Sequence, residues 1–324
     1  MGELNESDIK ENYIQQLDDD LLSILLKDRS SGKNIIWATD NYSDKGLSYE
    51  PINQITVKLI TGRLGKVIRP RIDKSKKEQQ HRIKDKAEVF TPSWICNKQN
   101  NLVDNAWLGY DNAFNTEVEK KWTTNREKVK FPDGKTWQDY VMSNRMEITC
   151  GEAPYLVSRY DTVTGEWIDV GDRIGILDRK LRVISENVDS EPDWVEWAYK
   201  AYKATYGFEW QGDSLLIARE NMLFAFIDCY LDKFQVFPIK KYLQEVAKIL
   251  SWNIFQMDGL KFVIPNSCNP SYKKQLTIFD SEKKQCQGCL KEDNHKHIGI
   301  YCKIMDWEKK RSKKFISLIG RKKE

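Results

Sequence analysis

The sequence predicts an α/β fold with a Rossmann-like, doubly wound sheet, and three short segments carry this prediction. An apolar stretch at residues 146–150 runs into a small-residue turn that contains Gly151. An aromatic run ends at the acidic residue Glu209 and precedes a long amphipathic segment. A third apolar run ends at Asp258, directly before a glycine. This order of strands, turns and helical segments is typical of parallel strands joined by crossover helices.

The three segments also predict a ligand site at one edge of the sheet. A doubly wound sheet binds its ligand outside the carboxyl ends of its strands. A turn at Gly151 lets the backbone approach a ligand closely, although Ala153 stands where a second glycine is usual. Glu209 can accept hydrogen bonds from ribose hydroxyls. Taken singly, Glu209 could be a solvated charge and Asp258 a turn residue, so the prediction depends on the order of the set.

The ordered set resembles the cofactor half of an S-adenosylmethionine-dependent methyltransferase. The upstream segment KAEVFTPSWICNKQNNLVD is similar to the amino-terminal motif of the gamma-class adenine-specific DNA methyltransferases. In that class a Phe-Thr-Pro turn precedes a helix that helps to enclose the methionine end of the cofactor, and here the turn is Phe90-Thr91-Pro92. The resemblance covers roughly residues 84–264 and extends to the modification subunits of restriction systems.

The resemblance implies a cofactor, a substrate and a protein partner. The methyl group would pass from S-adenosylmethionine to the exocyclic amine of an adenine in double-stranded DNA, once that base has left the stack. Glu209 would hold the ribose, the turn at Gly151 would approach the methionine part, and Asp258 would bind the adenine amine. A restriction or specificity subunit is the expected partner. The implied cofactor-binding residues are Phe90, Thr91, Pro92, Glu147, Gly151, Ala153, Glu209, Trp210 and Asp258.

The sequence departs from the family at the catalytic motif. The family carries an Asn-Pro-Pro-aromatic tetrad on its next strand, and the nearest string here is Asn269-Pro270-Ser271-Tyr272. Asn269 and Tyr272 are therefore the candidate catalytic residues, but Ser271 replaces the proline that would stiffen the turn. The alternative hypothesis is a catalytically inactive methyltransferase-like protein that binds DNA or a partner. A third is a zinc-bearing nuclease or interaction module. The nuclease is less favoured, because the sequence has no convincing Asp/Glu pair followed by the Glu-x-Lys arrangement that suits metal-dependent strand cleavage.

The chain divides into three predicted parts. Residues 1–83 form an amino-terminal α+β module without a motif that indicates chemistry, and residues 84–264 form the methyltransferase-like core. Glu147 and Glu209 are 209 − 147 = 62 residues apart, whereas a strand-helix-strand unit needs about 30. We therefore expect an insert at about 161–190, whose sequence indicates polar turns and short strands. Residues 265–324 form a Cys/His-rich element with a basic tail.

The Cys/His-rich element predicts a zinc site. A Cys-x-x-Cys pair can offer both thiolates to one tetrahedral zinc, and Cys286 and Cys289 have this spacing. Cys302 and one of His295 or His297 could complete the set, and the sequence does not distinguish the two histidines. The alternative is a polar loop with scattered thiols.

Charge and composition narrow the classes of protein. No apolar run approaches the roughly 20 residues of a membrane span, and the polar, acidic first 30 residues do not resemble a signal peptide. We therefore expect a cytoplasmic protein with no membrane partner. The odd number of cysteines, 7, favours free thiols or metal ligands over disulfides. Basic blocks at residues 63–86 and 303–324 predict contacts with DNA phosphates, although a solvated helix face is an equal alternative for the first.

Overall fold

The computed structural model describes residues 11–86, 88, 90–269 and 285–320. The strands are β1 (Asn115–Val118), β2 (Lys121–Thr124), β3 (Arg145–Ile148), β4 (Thr205–Glu209), β5 (Ile254–Gln256), β6 (Lys303–Asp306) and β7 (Arg311–Lys314). The helices are α1 (Glu11–Leu17), α2 (Leu21–Leu25), α3 (Val57–Ile60), α4 (Lys76–Lys86), α5 (Ser93–Leu108), α6 (Trp137–Met142), α7 (Ile176–Asn187), α8 (Glu191–Lys203), α9 (Gly212–Phe234), α10 (Lys240–Asn253) and α11 (Gln287–Leu290).

A parallel sheet with the order β3-β4-β5 lies at the centre of the molecule. Helices α7 and α8 connect β3 to β4, and α9 and α10 connect β4 to β5. In this register Glu147 lies opposite Gly207, and Phe208 lies opposite Phe255. The predicted α/β class with parallel strands is confirmed, and all three strands occur where the sequence indicated them.

The two faces of the sheet are covered by different parts of the chain. On one face α8, α9 and α10 contact the strands, and their apolar side chains form the main core together with Ile254. On the other face Phe208 and Phe255 pack against Phe315, with ring centroids 6.4 and 5.7 Å apart. Phe315 follows the antiparallel hairpin β6–β7, so the carboxy-terminal segment forms the second covering layer.

The amino-terminal segment packs directly on the sheet and shares its core. The amide side chain of Gln256, the last residue of β5, accepts from the Ile36 amide at 2.9 Å and donates to the Ile36 carbonyl at 2.8 Å. The Gln256 side chain therefore makes the two bonds to Ile36 that the backbone of a neighbouring strand would make. Arg219 of α9 is fully buried and donates to the carbonyls of Leu25 and Lys27. Residues 11–83 are thus joined to the rest of the molecule by buried polar contacts.

The predicted insert contains a helix that the sequence analysis missed. We expected polar turns and short strands at about 161–190, but residues 176–187 form α7. Leu177, Leu181 and Ile184 are buried at helical spacing, so this face packs into the core. The short-strand interpretation was wrong because Ile and Val residues, which favour strands, lie on the same helical face.

No helix in the described part of the chain is long and apolar enough to cross a membrane.

Candidate functional site

A cavity of about 570 Å³ opens at the carboxyl ends of β3 and β4. This is the edge of the sheet at which the sequence predicted a ligand site. Six of the predicted cofactor-binding residues line the cavity: Phe90, Thr91, Glu147, Gly151, Glu209 and Trp210. These six residues lie up to 120 positions apart in the chain (210 − 90), and the cavity brings them together.

The turn after β3 has an unusual backbone. Thr149, Gly151 and Ala153 have φ angles of 50°, 53° and 66°, so every second residue is left-handed. Left-handed backbone is strained for residues other than glycine and is concentrated at functional sites. A Cβ atom at Gly151 would meet no atom within 4 Å, which shows that the space beside it is open. Ala153 is fully buried and does not line the cavity.

Glu209 joins this turn to the next strand. One carboxylate oxygen accepts from the Gly151 amide at 2.9 Å, and the other accepts from the amides of Trp210 and Gln211 at 2.9 and 3.1 Å. Burial raises the pKa of Glu209, and these three donors lower it only in part. The side chain thus holds the cavity wall in place, and Oε2, which accepts one of the three bonds, keeps a further lone pair for a ligand.

Glu147 supplies a second buried carboxyl group to the cavity. Burial raises the pKa of Glu147 well above its ordinary value, while bonds from the amides of Tyr155 and Leu156 act in the opposite direction. Among the described residues its Oε2 atom has no hydrogen-bond partner. A buried oxygen without a partner carries a desolvation penalty, so a ligand donor at this position would relieve it.

The Phe-Thr-Pro turn forms another wall of the cavity. The guanidinium of Arg71 lies over the Phe90 ring, 5.0 Å from its centroid. Helix α5 begins directly after Pro92, as predicted, and the Ser93 amide donates to Asp161 at 2.6 Å. Pro92 itself is not on the cavity wall. It directly precedes the first residue of α5.

A second cavity of about 330 Å³ lies next to the first, and Trp210 lines both. Asp258, two residues beyond β5, lines the second cavity only. Its Oδ1 atom accepts from the amides of Leu260 and Lys261 at 3.0 and 3.1 Å. The Lys261 ammonium lies 3.7 Å from Oδ2. Asp258 therefore closes its own turn through one oxygen and presents the other near the cavity.

Asn269, the one candidate catalytic residue within the described ranges, is not on a strand. Asn269 is exposed, lies in a turn after β5 and lines the second cavity. Tyr272 lies outside the described residues. The structure thus places Asn269 near Asp258 and away from the strand position that the family tetrad occupies.

Three thiols and one imidazole lie together beside the second cavity. The ligand atoms of Cys268, Cys286, Cys289 and His297 are all within 4.8 Å of one another. Three of these residues were predicted, and Cys268 was not. Cys268 directly precedes the Asn269 string and has no standard ligand spacing to Cys286, so no sequence motif marked it.

Two predicted metal ligands lie elsewhere. Cys302 is completely buried, and its thiol donates to the Gln256 carbonyl at 3.2 Å, so it belongs to the core beneath β5. Its position in a strand-like segment points the side chain at the sheet and away from the cluster. His295 is exposed and is not part of the cluster. Of the two histidines that the sequence left open, His297 is the one that lies beside the thiols.

The basic block at residues 63–86 is only partly available to a nucleic acid. Lys74 and Arg82 are buried and lie 3.6 and 2.8 Å from Asp213, in the first turn of α9. Tyr42 donates to the same carboxylate at 2.8 Å. These two cations therefore attach the block to the core, whereas Lys76, Lys77 and Lys84 are exposed. In the second block, residues 303–314 form the hairpin β6–β7, in which β6 is half-buried and β7 is mainly exposed.

Comparison of the chain with family models, with curated proteins and with solved structures gave no match in any of the three.

Proposed function

We propose that the cavity at the carboxyl ends of β3 and β4 binds S-adenosylmethionine, and that the three parallel strands are the cofactor half of a Rossmann-like methyltransferase domain. The observation that carries the proposal is the convergence of Phe90, Gly151 and Glu209 from three separate segments on one cavity. Its volume of about 570 Å³ lies in the range of small-molecule sites.

The two neighbouring cavities support an extended orientation of the cofactor. The methionine part would lie against the left-handed turn at Gly151, and the ribose hydroxyls would donate to Glu209. The adenine would extend past Trp210, which lines both cavities, towards Asp258 in the second cavity. This order along the sheet edge follows the strand order β3-β4-β5.

We further propose that the substrate is adenine in double-stranded DNA and that the chain acts as the modification subunit of a restriction system. The basic hairpin β6–β7 and the exposed lysines of α4 offer sites for phosphate contacts, which give salt-dependent affinity. The base must leave the duplex for its amine to reach the methyl group.

Transfer of a labelled methyl group tests this function. The full chain would be incubated with methyl-labelled S-adenosylmethionine and unmethylated DNA, and the nucleosides separated. We expect label in N6-methyladenine. Label only in cytosine, or no transfer together with no cofactor binding, would contradict the proposal. Loss of transfer in Asn269→Ala would assign the step to the Asn269 string, and unchanged transfer would remove Asn269 from the mechanism.

A second candidate function is a catalytically inactive methyltransferase-like protein that binds DNA or a partner subunit. The observation that favours it is the unpaired edge of the sheet at β3. This strand pairs with β4, and among the described residues no strand pairs with its other side. On this edge Met146 is 38% and Ile148 69% exposed. Cofactor binding without transfer, and transfer restored by a partner subunit, would distinguish this function from the first.

A further inference from the structure

The Cys/His cluster has a geometry that hydrogen bonding does not explain. The Nδ1 atom of His297 lies 3.6 Å from the sulfur of Cys268, 3.5 Å from that of Cys286 and 3.6 Å from that of Cys289. A ring nitrogen carries either one hydrogen or one lone pair, so it makes one good hydrogen bond. Three sulfurs at nearly equal distances instead indicate a shared centre between the four atoms.

These distances agree with a tetrahedral zinc site. With Zn–S bonds of about 2.3 Å and a Zn–N bond of about 2.0–2.1 Å, a tetrahedron separates sulfur from nitrogen by about 3.6 Å. The observed separations of 3.5 to 3.6 Å match this value for all three thiols. The set of one nitrogen and three sulfurs is also a ligand set that zinc prefers in structural sites.

The surroundings hold the ligands in the required orientation. The other ring nitrogen of His297 lies 3.5 Å from the Asn294 side-chain oxygen, which favours a proton there and leaves Nδ1 free for a metal. The Ile298 amide donates to the Cys286 sulfur at 3.4 Å, a bond that stabilises a thiolate. At Gly288 a Cβ atom would lie 2.7 Å from the imidazole Nδ1, so the close approach requires glycine.

We propose that Cys268, Cys286, Cys289 and His297 bind one structural zinc ion. Four protein ligands leave no open position for a water, so the ion would not act in catalysis. It would tie the turn after β5, which carries Cys268, to the carboxy-terminal segment that covers the sheet. The site stands on its own geometry and does not depend on the proposed methyltransferase function.

Metal analysis of the full chain tests the site. Protein purified in reducing buffer without chelator should contain about one zinc per chain. Cys268→Ser and His297→Ala should lose stoichiometric zinc. The matched controls Cys302→Ser and His295→Ala should retain it, because both residues lie outside the cluster. Zinc loss in Cys268→Ser but not in Cys302→Ser would distinguish this ligand set from the one that the sequence alone suggested, which contained Cys302.

Cobalt substitution of the wild-type protein tests the site even if a variant folds poorly. Wild-type protein exchanged with Co²⁺ should show the visible absorption of a tetrahedral site and thiolate charge-transfer bands. Absence of stoichiometric metal and of these bands would overturn the proposal, as would zinc that survives in Cys268→Ser but is lost in Cys302→Ser. Stoichiometric iron in place of zinc would contradict the identity of the ion. Cofactor binding is measured separately, so the two proposals can fail independently.

Discussion

At the scale of single residues, buried charges connect the segments that form the site, and Asp213 is the central one. Arg82, Lys74 and Tyr42 all lie around its carboxylate. Replacing Asp213 with Asn would remove the carboxylate partner of Lys74 and one of the two partners of Arg82, which also lies 3.1 Å from Glu88. Breaking a buried ion pair in this way costs about 3–5 kcal/mol.

The measurement is the free energy of unfolding in urea. We expect Asp213→Asn to lower it by about 3–5 kcal/mol. Asp172→Asn is the matched control, because Asp172 pairs with Arg126 at 2.6 Å on the exposed surface. That change should alter the free energy by no more than about 1 kcal/mol. Equal effects of the two substitutions would contradict the structural role of Asp213.

The same residue predicts a pH dependence. Burial would raise the pKa of Asp213, but the charges of Arg82 and Lys74 outweigh it and hold this pKa well below its ordinary value. A lowered carboxyl pKa contributes stability above the unfolded value of about 3.9, and this stability is lost as the pH falls below it. The wild type should therefore lose more stability than Asp213→Asn as the pH falls below about 5, which urea unfolding at a series of pH values would measure.

Sequence patterns identified six of the residues that line the first cavity, but they placed Cys302 in the Cys/His cluster, which contains Cys268 instead. Gly151 and Glu209 could be predicted because each lies at or just beyond the end of a strand, and parallel strands end at one edge. Cys268 could not, because it meets His297 across 29 residues of sequence and has no standard ligand spacing to Cys286. Short spacing instead suggested Cys302, which the fold uses in its core.

At the scale of elements, the start of α9 depends on a close approach to the amino-terminal segment. A Cβ atom at Gly212 would lie 2.0 Å from the Ile36 carbonyl oxygen. Gly212→Ala would therefore force the helix away from residues 34–38. Overpacking of this kind costs about 1–3 kcal/mol.

Unfolding in urea also checks this contact. Gly212→Ala should lower the midpoint, although alanine favours helices over glycine by about 1 kcal/mol. Gly320→Ala is the control, because nothing lies within 4 Å of a Cβ atom at that position. An unchanged or higher midpoint for Gly212→Ala would show that the two segments are not packed as described.

The helices were predictable to different degrees. Helix α9 occurs where the sequence indicated a long amphipathic segment after Glu209, and it spans 23 residues. Helix α7 was missed because its sequence mixes strand-favouring residues with buried charges such as Arg179, which bonds Asp104 at 2.6 Å. A local pattern does not show that such a charge has a partner in a distant helix.

At the scale of the whole molecule, the three predicted parts share one set of contacts. Ile36 pairs with Gln256, Phe315 covers Phe208, and the Cys/His cluster lies beside the turn that contains Asp258. Sequence could indicate the parallel order of the strands. It could not indicate that the amino-terminal segment and the carboxy-terminal hairpin would cover the same sheet, since these contacts span 220 and 107 residues of sequence (256 − 36 and 315 − 208).

Calorimetric titration of the full chain with S-adenosylmethionine and with its demethylated product tests the central claim, that the paired cavities bind this cofactor. We expect both ligands to bind the wild type. Asp258→Asn keeps the oxygen that closes its own turn and replaces the other, so affinity should fall by roughly tenfold to 150-fold, the equivalent of about 1.5–3 kcal/mol. The control Asp133→Asn, on the exposed surface, should bind as the wild type does. Absence of heat with either ligand at high micromolar concentration, from protein that is folded, would contradict the claim.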